Sequence, residues 1–407
     1  MRSINLEALI NPMARLVFCL VFLNISVILL VLIGVRASSG SSLEKSSAFF
    51  IFGDSTVDPG NNNYIHTIPE NQANFKPYGQ NGFFDGPTGR FSNGRVIVDF
   101  IASYANLSLI PPFLEPSADY SYGVNFASGG AGVLPETHQG LAIDLPTQLK
   151  YFEEVKKSLT EKLGEAEADE VISEAVYFIS IGSNDYMGGY LGNPKMQENY
   201  QPEDYVAMVI GNLTEAIQVL YEKGGRKFGF LSLSPLGCLP ALRALNPNKD
   251  SENGCFEAGS ALAAAHNNAL KGVLTSIEYI FEGFKYSNSN FYTWLEDRMN
   301  NPSNYGFKDG INACCGFGPY GGMLTCGGNK NITEYNLCGN PDDHVWWDSF
   351  HPTERIHEQF AKALWDGPSS SVGPFNLQDL FFSKGKLTIA DIVDAPHLKD
   401  TSFSNII

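Results

Sequence analysis

The sequence predicts an α/β protein in which a parallel sheet of about five strands carries helices on both faces. Three observations support this. Short, nearly continuous apolar runs recur at Ala48–Phe52, Ala175–Ile181 and Phe228–Leu233, the pattern of strands buried on both sides. Amphipathic stretches of helical period separate them at Val96–Tyr104, Thr147–Leu163 and Pro202–Lys223, and such alternation implies crossovers and a parallel sheet. Three strand-like runs end in polar glycine turns: Gly53-Asp54-Ser55, Ser128-Gly129-Gly130 and Gly182-Ser183-Asn184-Asp185. Ligands of open α/β sheets bind beyond the carboxyl ends of strands, so these turns are where chemistry is expected.

The chain begins with Arg2 and Arg15, an apolar run from Leu16 to Ile33, and then small residues through Ser39. That order predicts a secretory signal, residues 1–37, cleaved after Ala37. A membrane anchor is the alternative, since a span needs ~20 apolar residues. Asn24 and Ser26 interrupt the run and no second apolar span follows, so stable membrane insertion after cleavage is not expected. Residues 38–47 form a Ser-rich leader.

The first strand, Ala48–Phe52, leads into Ser55, and a Gly-, Pro-, Asn- and Phe-rich loop runs from Gly60 to Arg95. A helix at Val96–Tyr104 precedes a second strand at Tyr120–Ala127. After the helix Thr147–Leu163 and the third strand, the helix Pro202–Lys223 stops at Gly224-Gly225 and the fourth strand follows. Phe256–Phe284 is helical, and Asn290–Trp294 is expected as a short fifth strand. Residues Asn300–Asn340 lack periodicity. A helix ends near Ala363, and the tail beyond Gly367 holds one amphipathic patch, Leu377–Phe382.

At 407 residues, 43% hydrophobic and 12% aromatic, the chain can bury a large core. Its net charge of −17 would be repelled by a phosphate backbone, which argues against nucleic acid as a partner. Seven cysteines are present; Cys19 lies in the signal, leaving Cys238, Cys255, Cys314, Cys315, Cys326 and Cys338. An even set suits disulfides in an oxidising compartment. A zinc site is the competing reading of the clustered cysteines, but the usual paired spacing is missing. Glycosylation sequons at Asn106, Asn212 and Asn331 agree with secretion.

A serine becomes a nucleophile when an imidazole accepts its proton and a third group orients that imidazole. Ser55 ends a buried strand. Among seven histidines, His351 has Asp348 three residues before it and Pro352 stiffening it from behind. His344, beside Asp342 and Asp343, is less suited because adjacent side chains point apart. The plain alternatives are a surface serine, a loop histidine and a capping carboxylate. For a developing oxyanion, donors would be the backbone N–H near Gly130 and the side-chain amide of Asn184, although glycine turns more often serve only local geometry. No G-x-S-x-G, H-E-x-x-H or G-x-x-x-x-G-K-[ST] occurs. Gly316–Gly321 fits G-x-G-x-x-G but follows no strand, which argues against a dinucleotide site.

Taken in order, Gly53-Asp54-Ser55, Asn125–Gly132, Gly182-Ser183-Asn184-Asp185 and Asp348-Ser349-Phe350-His351-Pro352 resemble the four blocks of plant-type GDSL esterases/lipases of the SGNH-hydrolase superfamily. The resemblance runs from about Ala48 to Leu380. It implies a three-layer α/β/α sandwich, a single domain over residues 48–383, and a tail, residues 384–407, without counterpart. It places the catalytic serine, aspartate and histidine on Ser55, Asp348 and His351, and the oxyanion donors on Ser55, Gly130 and Asn184, with Gly129 one register step away. Thr56 stands where leucine is usual. The implied activity is hydrolysis of small-molecule or lipid esters through an acyl-serine, without metal or organic cofactor, in the extracellular space of a plant (apoplast or cell wall). An acyltransferase with an alcohol acceptor, or a non-catalytic secreted binding protein, is the alternative.

Overall fold

The computed structural model describes residues 47–382, apart from residues 121, 249–253, 324–325, 328–333 and 370. The expected signal, nearly all of the leader, the 384–407 tail and the Asn331 sequon therefore lie outside the described residues. Five parallel strands, β1 (Phe49–Gly53), β2 (Gly123–Asn125), β3 (Val176–Ser180), β4 (Lys227–Phe230) and β5 (Lys285–Ser289), form the sheet. A sixth, Val372–Pro374, pairs antiparallel with β5 at the edge. The order is β2-β1-β3-β4-β5 followed by that edge strand.

Successive residues of β1 point to opposite faces, and both faces are covered. Phe50 and Phe52 pack on Phe152 of the helix Leu145–Leu163. Phe49 packs on Phe381 of the C-terminal helix Leu377–Phe382, with ring centroids 5.3 Å apart. The helices Pro202–Glu222 and Glu257–Ile280 pack with the first layer, while Ile97–Tyr104 and Glu354–Asp366 pack with the second. The three-layer sandwich expected from the sequence is present.

One expectation needs correction. The fifth strand lies at 285–289, and residues 290–294 instead begin the helix Phe291–Asn300, for which Asn290 caps the N–H of Thr293. Its aromatic residues read as strand-like, yet Phe291, Leu295 and Met299 are buried at four-residue spacing on one helical face. The true strand, Lys285-Tyr286-Ser287-Asn288-Ser289, was hidden by its polar composition. Residues 372–382 also pack on the sheet: they supply the edge strand, and Leu377, Leu380 and Phe381 are buried. Pro374 is tolerated there because an edge strand has an unpaired side.

Gly53 shows why the chain leaves β1 as it does. A Cβ at this position would lie 2.4 Å from the Ser180 carbonyl oxygen and 2.6 Å from Val57, so only glycine allows β1 and β3 to stay this close. Its N–H donates to Gln148 Oε1 and its carbonyl accepts from Gln148 Nε2. The chain runs from β1 to β2 on one side and then crosses to β3 on the other, so the strand order reverses between the parallel strands β1 and β3. A crevice is expected at such a switch point.

Candidate active site

Ser55 follows β1 at this switch point. Asp54 N–H donates to the Ser180 carbonyl oxygen, and the Asp54 carboxylate accepts from the Thr56 N–H, so the turn is tied to β3 and to itself. Burial raises the Asp54 carboxyl above its usual range, opposed by hydrogen bonds from Thr56 and the charge of His351.

The histidine arrives from the other end of the chain. Val345 and Trp346 lie in a short strand, His344–Trp346, paired with Asp309–Ala313. The next residues turn back on themselves, and the N–H of Trp347 donates to the His351 carbonyl oxygen. This turn brings His351 Nε2 to 2.8 Å from Ser55 Oγ, 296 residues away in sequence. Its Nδ1 lies 2.8 and 2.9 Å from the two carboxylate oxygens of Asp348. An ionised carboxylate only accepts, so Nδ1 carries the proton and Nε2 is left to accept from the serine hydroxyl.

Although Asp348 is buried, which would raise its pKa, the charge and hydrogen bond of His351 hold it below the usual carboxylate range, helped by the Phe350 N–H and the Tyr78 hydroxyl. Tyr78 donates to Asp348 Oδ2 at 2.7 Å. Burial, with Asp348 beside it, pushes the Tyr78 hydroxyl well above its ordinary range, so it remains a donor. Phe91 lies against the His351 ring, centroids 4.8 Å apart. Neither Tyr78 nor Phe91 was singled out from the sequence: both sit in the aperiodic loop 60–95, where no spacing relates them to His351.

Gly130 and Asn184 face the same cavity as Ser55 and His351, a space of about 390 Å³. Gly129 and Gly130 have different surroundings. The Gly129 N–H donates to Asp58 Oδ2 at 2.9 Å, so it is spent on structure, whereas Gly130 lines the cavity with φ of 84°, the left-handed region that favours glycine. Asn184 Nδ2 donates to the Ala131 carbonyl oxygen, which holds its amide beside the Gly130 turn.

Buried carboxylates fasten these turns. Asp58 accepts from Gly60, Asn61 and Gly129, and Asn61 Nδ2 donates to the carbonyls of Asn125 and Ala127. Asp185 accepts from Val133, Leu134 and Thr137. Burial raises both Asp58 and Asp185 to about 6 against those hydrogen bonds. The six cysteines pair as Cys238–Cys255, Cys314–Cys338 and Cys315–Cys326. Asn106 and Asn212 are exposed.

The chain is similar to known proteins over most of its length. The family described as GDSL-like Lipase/Acylhydrolase matches residues 49–364. "GDSL esterase/lipase 5" of Arabidopsis thaliana is 47% identical over 90% of this chain and 96% of its own length. The "GDSL lipase" of Tanacetum cinerariifolium is 46% identical over 84% of this chain and 90% of its own, and "GDSL esterase/lipase 1" of Arabidopsis thaliana is 46% identical over 83% and 90%. With most of its length matched by both the family and these relatives, this chain belongs to the GDSL-like lipase/acylhydrolase family.

Proposed function

We propose that this carboxylic ester hydrolase works by two-step acyl transfer through Ser55. The observation that carries the reading is the unbroken relay Ser55–His351–Asp348, with both hydrogen bonds at 2.8–2.9 Å. Ser55 Oγ attacks the ester carbonyl carbon while its proton passes to His351 Nε2. The tetrahedral oxyanion takes hydrogen bonds from the N–H groups of Ser55 and Gly130 and from Asn184 Nδ2. Collapse breaks the bond to the alcohol oxygen, which leaves with the proton from His351. Water, deprotonated by the same imidazole, then attacks the acyl-serine, releasing the acid and regenerating Ser55. Asp348 fixes the imidazole tautomer throughout, and Tyr78 fixes Asp348.

Secretion is part of the same reading. The N-terminal charge, apolar run and small-residue order, together with three disulfides, support export to the extracellular space, and the exposed Asn106 and Asn212 are the acceptor sites proposed for N-glycans. Among the described residues no helix is long and apolar enough to cross a membrane.

Ser55→Ala is expected to abolish hydrolysis of p-nitrophenyl acetate and labelling by a fluorophosphonate while leaving the thermal transition in place. A folded Ser55→Ala protein that still hydrolyses the ester would overturn the assignment.

A further inference from the structure

The cavity over Ser55 differs in character from end to end, and the topology fixes which end is which. Ser55 and Asn184 follow β1 and β3 at its centre. On the β4 and β5 side the wall is aliphatic. Leu236, Leu239, Leu242 and Leu245, at every third position after β4, line it together with Phe291 and Leu295 from the helix after β5. Exposure along this ladder climbs from 1%, 3% and 6% at the first three leucines to 65% at Leu245, so it runs from the interior to the surface. The segment is fixed in place: Cys238 is joined to Cys255, Arg243 Nε donates to the Cys238 carbonyl oxygen, and the Ala241 N–H donates to that of Ser349. On the opposite side, loops after β1 and β2 present polar groups beside the apolar Ile68 and Phe91. Asn71 lies against Gly130, Glu70 lines the cavity, and the His138 ring nitrogen Nδ1 is 2.7 Å from the Gly130 carbonyl oxygen.

We propose that esters bind in one direction: an unbranched aliphatic acyl chain lies along the leucine ladder over β4 and β5, and the alcohol portion, polar in the preferred substrate, lies over β1 and β2. The claim deepens the Ser55 reading above and rests on it. A cavity of about 390 Å³ has room for a medium-length acyl chain along the ladder and a small alcohol portion beyond Ser55. Each methylene added along the ladder is expected to raise kcat/KM about two- to fourfold until the chain reaches Leu245.

Two isomeric esters test the direction without changing overall hydrophobicity. Ethyl octanoate and octyl acetate have the same atoms, and differ only in which side of the carbonyl carries the long chain. The expected result is a kcat/KM at least tenfold higher for ethyl octanoate. Equal rates, or a preference for octyl acetate, would overturn the proposal. Leu245→Asp places a charge where the chain emerges and is expected to lower the ethyl octanoate to ethyl acetate ratio about tenfold, and an unchanged ratio would count against the ladder. Ser55→Ala is run on both isomers. If it is inactive while octyl acetate is preferred by the unaltered enzyme, the direction fails and the nucleophile stands; if it remains active, the nucleophile itself fails.

Discussion

The two halves of the proposed relay are held in place by different means. The nucleophile turn, residues 53–63, is built into the central sheet: Gly53 is clasped by Gln148, Asp54 bonds β3, and Asp58 and Asn61 bind the loop after β2. The histidine turn, residues 347–352, rests on a layer of short strands and disulfides. Cys314 and Cys315 donate from their backbone N–H groups to the carbonyls of Trp346 and Trp347, and the same cysteines are joined to Cys338 and Cys326. The lesson is that damage to the first half should reach the whole fold, whereas damage to the second should be felt as lost activity first.

The largest effect is expected from Asp348→Asn. The asparagine cannot hold the Nδ1-protonated tautomer by ionic attraction, and kcat should fall by about 10⁴, as when a triad aspartate becomes its amide. The thermal midpoint should move by only a few degrees. Ester hydrolysis paired with a melting curve checks both; a fall of less than tenfold would break the comparison on the histidine side.

Gln148→Leu probes the other half. It strips three hydrogen bonds, to the N–H and carbonyl of Gly53 and the carbonyl of Ile143, leaving buried backbone groups unpaired. A loss of about 2–4 kcal/mol in unfolding free energy is expected, with activity per folded molecule changed far less than in Asp348→Asn. Urea denaturation reads the first quantity and active-site titration the second. Activity lost with stability intact would show that the two halves are not separately supported.

Tyr78→Phe sharpens the picture on a smaller scale. Its hydroxyl donates to a buried, ionised carboxylate, a bond worth about 1.5–3 kcal/mol, part of which is realised during catalysis. A drop of about tenfold in kcat is expected. Because that bond helps to hold the Asp348 pKa down, its loss moves the pKa up. The pH at which the Asp348 carboxyl takes up its proton, followed by the carboxyl band in infrared difference titration, should therefore move upward, whereas a Tyr78 that does not bond the carboxylate would leave it where it was.

How much of this was legible beforehand follows from the same contrast. Ser55 could be found because its strand is a run of buried apolar residues and its turn is a sharp glycine break, both local signals. His351 was legible because Asp348 stands three residues before it. Tyr78 was not, since its partner is 270 residues away and no period links them. The β5 strand was missed because Ser287 and Ser289 are buried polar residues, and hydrophobic patterning assigns such residues to the surface. The edge strand Val372–Pro374 is too short to show a pattern of its own and is specified by pairing with β5.

A further effect, read only as a pH-dependent difference, concerns four buried titratable groups: Asp58, Asp185, His266 and His357. Asp58 and Asp185 are raised from 3.8 to about 6 by burial, so their contribution to stability is fully present below the unfolded value and is lost as pH rises through about 6. Burial lowers His266 and His357 from 6.5 to about 3, so theirs is present above the unfolded value and is lost as pH falls below 6.5. Between about pH 4 and 6 the folded chain holds two carboxyl protons and the unfolded chain two imidazole protons, so these four leave stability nearly independent of pH. His357→Leu removes one imidazole proton from the unfolded state alone. Its stability relative to the unaltered protein should then rise as pH falls from 6 to 4, by up to about 1.4 kcal/mol per pH unit. Urea midpoints for both proteins at pH 6, 5 and 4 measure this difference, in which all other titrating groups cancel, and parallel curves would mean that His357 ionises in the folded protein as readily as in the unfolded chain.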